Sequence, residues 1–133
     1  MDHNLIIRTI EQADNITLAK IIRDTLKEFN ANKPGTVYFD ERTDHLFEEF
    51  RIPGSIYYVV EEEKNVLGGA GIYPTEKLPA GTCELVKFYL LPEARGRGIG
   101  KALLQKSIAA AKEMGYTKIY LETMPELTIA IPM

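Results

Sequence analysis

Apolar positions along this chain recur with two periods, and the switches between them divide it into elements. Leu5-Ile6-Ile7-Arg8 is a short apolar run that predicts a first strand. From Asp14 the spacing becomes helical. Leu18, Ile22, Leu26 and Phe29 fall on one stripe with Ala19 beside them, so a helix is expected from an Asp14 cap to about Asn30. Asn32-Lys33-Pro34-Gly35 breaks the chain. A shorter helix over 43–50 would put Leu46, Phe47 and Phe50 on its apolar side before Ile52-Pro53-Gly54 ends it. Strands are predicted over 55–62 and 66–72, with Glu63-Lys64-Asn65 as the hairpin between them. Gly68, Gly69 and Gly71 weaken the second of these and point to a bulge or to close packing. Residues 74–81 read as a loop. The run 83–91 is apolar on both faces apart from Glu84 and Lys87, as a central strand should be. The next helix carries Ile99, Leu103, Ala110 and Met114 on its core stripe and closes at Gly115. A strand over 118–123 then returns beside 83–91 by a right-handed crossover. The order is β-α-α-β-β-β-α-β, an α/β chain built on a mixed sheet.

Composition narrows the function classes. At 133 residues, 45% hydrophobic and 26% charged, the chain can bury one core, which makes residues 1–133 a single domain. A net charge of −3 gives no reason to expect a nucleic-acid partner, and the basic residues at 95, 97 and 101 are a local feature. Cys83 is the single cysteine, so no disulfide forms within the chain. It reads as a buried structural thiol in a reducing compartment. With no 18-residue apolar run and no charged-then-apolar leader, no membrane partner is expected and the location is read as cytoplasmic. No metal-ligand set and no internal repeat is read.

The chemistry concentrates at Arg95-Gly96-Arg97-Gly98-Ile99-Gly100-Lys101, where a strand turns into a helix. Glycines let backbone approach an anion, and the free N–H groups and dipole of a helix start favour negative charge. The spacing is G-x-G-x-G, which fails the dinucleotide fingerprint G-x-G-x-x-G. A P-loop fails too, since Arg95 and Ala102 stand where it needs Gly and Ser or Thr. The bland alternative is a glycine-rich surface turn with solvated charges. The contiguous segment 84–104, an apolar strand, Pro92, then R-x-x-G-x-G opening a helix, resembles the acetyl-CoA-binding segment of the GNAT N-acetyltransferase superfamily.

That resemblance implies an acyl-CoA N-acyltransferase-like fold and acetyl-CoA as cosubstrate. It implies transfer of an acetyl group to an amine of a small molecule or peptide. It places the pantetheine arm along the backbone of Phe88, Tyr89 and Leu90. The pyrophosphate falls on the loop amides of Gly96, Arg97, Gly98, Ile99, Gly100 and Lys101, with Arg95 opening the motif. Such transfer also needs a base for the amine, and Glu84 is the candidate: a carboxylate on an apolar strand, near where the thioester should lie. The alternative is a Glu at the strand edge, solvated or paired with Lys87. His45 and His3 are further options for the base, although a lone His on a short helix or near a terminus is more often a surface residue. Tyr38, Tyr57, Tyr58 and Tyr73 either line the acceptor site or pack in the core.

Members of the family continue past this last strand into another helix, which often bears a tyrosine serving as the acid for the thiolate, and then two more strands. The residues after Thr123 do not provide these. The expectation is therefore a C-terminally incomplete domain whose 118–123 edge is uncovered. A homodimer through residues 118–133 would cover it. The alternative function is a catalytically impaired or inactive acyl-CoA-binding or interaction domain.

Overall fold

In a computed structural model, which describes residues 4–124 and 127–133 apart from the side chains of 122–132, six strands form one sheet in chain order. They are β1 (Leu5–Thr9), β2 (Ile56–Glu62), β3 (Asn65–Pro74), β4 (Thr82–Leu90), β5 (Lys118–Met124) and β6 (Leu127–Pro132). The helices are α1 (Asn15–Glu28), α2 (Leu46–Glu49) and α3 (Ile99–Glu113). β1 to β4 pair antiparallel, β4 and β5 pair parallel, and β6 returns antiparallel to β5.

The strand β2 explains why the sheet has two covered faces. Successive side chains of a strand point to opposite sides. Tyr57 and Val59 join Leu18, Ile22, Leu46 and Phe50 under α1 and α2. Tyr58 and Val60 join Ile99, Leu103, Ala110 and Ala111 of α3. Cys83 of β4 lies in the second cluster, fully buried, with its thiol directed at the Lys118 carbonyl 3.7 Å away. Burial pushes that thiol up to about 11, so it behaves as the structural residue the sequence suggested.

Several local expectations change. Asp14 stands at the N-cap of α1 as expected, but its side chain accepts no hydrogen bond from that helix. Its buried carboxylate turns back to accept from the Glu11 N–H at 2.8 Å and from both terminal nitrogens of Arg8, at 2.8 and 2.9 Å. The second helix is shorter than 43–50, because Glu41–His45 winds as a 3-10 turn before it. Phe29 and Met114 close their helical stripes in the sequence yet are 65% and 41% exposed. Both stand at a helix's C-terminal cap, where the stripe runs past the end of the sheet. The Arg95 guanidinium stands over one face of Phe29, 5.4 Å from its ring centroid.

The largest correction concerns the edge of β5. The mixed α/β class stands, but the chain does not leave Lys118–Leu121 uncovered: residues 127–132 pair along it, from Lys118 opposite Pro132 to Met124 opposite Leu127. The Met133 N–H continues the ladder onto the Thr117 carbonyl at 3.0 Å. The premise of an edge that only a second chain could cover is therefore replaced by coverage within the chain.

Candidate active site

The parallel pairing of β4 with β5 is brief. It runs from Thr82 opposite Lys118 to Leu85 opposite Leu121 and then stops, although both strands continue. Beyond Leu85 the strands part. A cavity of about 540 Å³ fills the gap, walled by the β4 residues 84–89 with Val37, Leu104 and Leu121 around it. Leu104 belongs to α3 and Val37 to the segment after α1, so the cleft opens between the two helical layers.

The parting coincides with a bulge. Val86 stands opposite Gly71 and Tyr89 opposite Gly69, so Lys87 and Phe88 face one residue of β3. Lys87 takes φ +53°, the left-handed region that a side chain enters at a cost. Its carbonyl accepts a 2.8 Å hydrogen bond from the Tyr57 hydroxyl, which arrives from β2 across β3. Tyr57 reaches that far because Gly69 and Gly71 leave its ring room. Burial raises its phenol well above the ordinary range, so it remains a donor.

Glu84 lines the cleft, partly buried, and its carboxylate accepts 2.8 Å from the Thr75 hydroxyl at the end of β3. Lys87 is not its ion-pair partner. The Lys87 side chain lines both the cleft and a smaller cavity of about 120 Å³ that includes Asp40, Arg42 and Glu49. Burial lowers the pKa of its ammonium, against the pull of Asp40. Phe88 turns to the α3 side, and its ring would stand 3.3 Å from a Cβ on Gly100. Tyr89 packs with the α1 cluster and Leu90 with the α3 cluster.

The glycine loop follows. Gly96 and Gly98 have φ of +74° and +81°, and a Cβ on either would meet nothing within 4 Å, so the backbone here is bare. Gly98 is the N-cap of α3 and supplies no capping side chain, which leaves the first-turn amides of Ile99, Gly100 and Lys101 uncapped. The arginines do not reach over this space. Arg95 bonds both carboxylate oxygens of Glu28, at 2.8 and 2.9 Å, and the Leu90 carbonyl at 3.0 Å. Arg97 pairs with Glu62. They anchor the loop to α1 and to the β2–β3 hairpin, while Lys101 is exposed.

The remaining candidates scatter. His45 is exposed at the start of α2, its Nδ1 4.0 Å from Glu48. His3 lies outside the described residues. Tyr38 packs on Phe39 and Tyr73 on Phe50, while Tyr58 is buried in the α3 cluster. Tyr57 hydrogen-bonds the wall of the cleft at the Lys87 carbonyl, and it does so from inside the core. Sequence reading did not single out this residue, Thr75 or the Lys87 bulge. The one signal was Gly68-Gly69-Ala70-Gly71, glycine-rich where a strand was expected.

The model of the acetyltransferase (GNAT) family matches residues 19–133. The chain belongs to that family. The uncharacterized N-acetyltransferase YjgM of Escherichia coli (strain K12) is 38% identical over 130 residues, which cover 96% of this chain and 77% of that protein. Among solved structures, a GNAT-family acetyltransferase from Staphylococcus aureus Mu50 superposes with a TM-score of 0.76 at 21% identity, covering 90% of this chain and 73% of that one. The PaiA N-acetyltransferase of Thermoplasma acidophilum, solved in complex with coenzyme A, gives 0.69 at 19% identity, over 92% and 80%. These two likenesses concern the fold. As a GNAT acetyltransferase the chain carries the mixed sheet that this family uses. Among the described residues no helix is long and apolar enough to cross a membrane.

Proposed function

We propose that this GNAT protein transfers the acetyl group of acetyl-CoA to an amine of a small molecule or peptide. The observation that carries the reading is the parting of β4 from β5 after Leu85, which leaves a strand backbone facing an open cleft of about 540 Å³. The backbone of Phe88, Tyr89 and Leu90 would hold the pantetheine amides as a neighbouring strand would. The amides of Gly96 through Lys101 would hold the pyrophosphate at the uncapped start of α3. Because Arg95 and Arg97 are engaged by Glu28 and Glu62, backbone donors and not guanidinium groups carry the phosphate contacts. A coenzyme A complex among proteins of this fold supports the choice of donor.

Acetyl-CoA supplies an acyl carbon activated by its thioester. The chain's residues do the rest. Glu84, held by Thr75, takes a proton from the incoming amine directly or through a water. The amine approaches from the side of residues 37–49, where the smaller cavity meets the cleft at Val37 and Lys87 and where Asp40 and Glu49 are both paired with Arg42.

Calorimetric titration with CoA and acetyl-CoA, run beside thiol release with a panel of amines, tests the function. Binding with amine-dependent release is the expected result. Binding without release would make this an acyl-CoA-binding domain, and the lack of both would overturn either reading.

A further inference from the structure

Among the described residues Tyr57 is the largest fully buried side chain, and its hydroxyl is spent on one bond to the backbone of the cleft wall. The construction around it is specific. Its ring lies across β3, where a Cβ on Gly69 would stand 2.5 Å from its Cε1 and one on Gly71 would stand 2.7 Å from its Cδ2. Phe50 flanks the ring with centroids 5.1 Å apart. The hydroxyl then meets the Lys87 carbonyl at 2.8 Å, at a residue with φ +53° inside a strand. A left-handed lysine persists only where its surroundings hold it. The bulge begins at Lys87, two residues after the last β4–β5 pair, Leu85 opposite Leu121.

The peptide bonds of the described chain are all trans. In a planar trans peptide the C=O and the following N–H point in opposite directions. A Lys87 carbonyl pinned toward Tyr57, on the α1 and α2 side, turns the Phe88 N–H away, toward the side where α3 lies. Lys87 and Phe88 both line the cleft.

Resting on the acetyltransferase reading, we infer that Tyr57 is a positioning residue. By holding the Lys87 carbonyl across β3, it fixes the peptide between Lys87 and Phe88 so that the Phe88 N–H is offered to the thioester carbonyl in the cleft. The reaction gives that donor its work. The amine nitrogen bonds to the carbonyl carbon while the C=O π pair moves onto oxygen, giving an oxyanion that the N–H stabilises. As the C=O reforms, the C–S bond breaks, the pair leaves on sulfur and the amine proton passes to Glu84. A donor that is fixed beforehand needs no reorganisation at that moment.

The test pairs the parent protein with Tyr57→Phe, which keeps the ring and removes the hydroxyl. In the parent, labelled with 15N-phenylalanine, the Phe88 amide should shift with acetyl-CoA more than with CoA, because only the acetyl group brings the carbonyl. In Tyr57→Phe that difference should vanish, while calorimetric affinity for CoA changes less than about twofold and kcat falls about 10- to 100-fold. A loss confined to affinity or thermal stability, with kcat kept, would make Tyr57 a packing residue and overturn the inference. A Phe88 amide that responds equally to CoA and acetyl-CoA in the parent would overturn it as well, even if the variant does not fold. If the parent binds neither compound, the acetyltransferase reading falls first and this inference with it.

Discussion

Glu84 and Asp14 are both carboxylates withdrawn at least in part from solvent, and their partners give them different work. Glu84 accepts from a neutral hydroxyl, that of Thr75, and faces a cleft. A carboxylate with no cation on it is available as a base. Glu84→Gln is expected to lower turnover at neutral pH by about 10²-fold or more while CoA affinity stays near the parental value. Steady-state rates with calorimetry decide this, and parental rates across the pH range would remove Glu84 from the mechanism. Asp14 is locked to Arg8 and the Glu11 N–H. Burial alone would raise its pKa, but those hydrogen bonds and the Arg8 charge hold it below the ordinary carboxylate value. A lowered pKa in the folded state gives stability that is full above about pH 4 and is lost as pH falls through the folded-state value. Asp14→Asn should therefore cost about 1–3 kcal/mol at pH 7 and flatten the acid limb of the stability profile, measured by urea unfolding. Glu84 was legible in the sequence because a charge interrupts an apolar strand. The true partner of Asp14 was not, since a helix-cap pattern looks the same whether the carboxylate turns forward or back to a strand.

At the scale of elements, period and punctuation placed most strands and helices within a few residues, because one apolar stripe or alternation suffices to bury each against the sheet. What they missed depends on two elements at once. Gly69 and Gly71 of β3 are small because the Tyr57 ring from β2 crosses over them to reach β4. Gly69→Ala or Gly71→Ala should destabilise the fold by about 1–3 kcal/mol through overpacking, read from denaturant midpoints. The loop glycines act differently. Gly98 has open space around it, so the cost of Gly98→Val lies in its φ of +81° and in displacing the start of α3. Gly100→Val presses on the Phe88 ring. The double variant should lose CoA binding by at least about tenfold in calorimetry, and unchanged affinity would remove the loop from the site. The R-x-x-G-x-G run was legible because backbone chemistry at a helix start is written in glycine. That its arginines turn to Glu28 and Glu62 was not, because those carboxylates lie far away in sequence.

For the whole molecule, the sheet order follows chain order, which the alternation of elements conveyed except at its far side. Residues 127–132 do alternate, with Leu127, Ile129 and Ile131 at every second position, but the run is short and ends in Pro132, and β5 supplies the template that makes it a strand. Removing 127–133 would bare the β5 edge. The shortened protein should self-associate more than the full chain at equal concentration, as light scattering would register. An unchanged mass distribution would mean that β6 guards nothing. The short β4–β5 pairing bears on mechanics. Four residue pairs hold the leaf of β1 to β4 against the leaf of β5 and β6, so among the described strands this seam is the sheet's weakest weld. A force that spreads the leaves should peel Leu85 from Leu121 first and travel toward Thr82 and Lys118. Whatever lodges in the gap sits at the long end of that lever, where modest contacts set the opening angle of half the sheet.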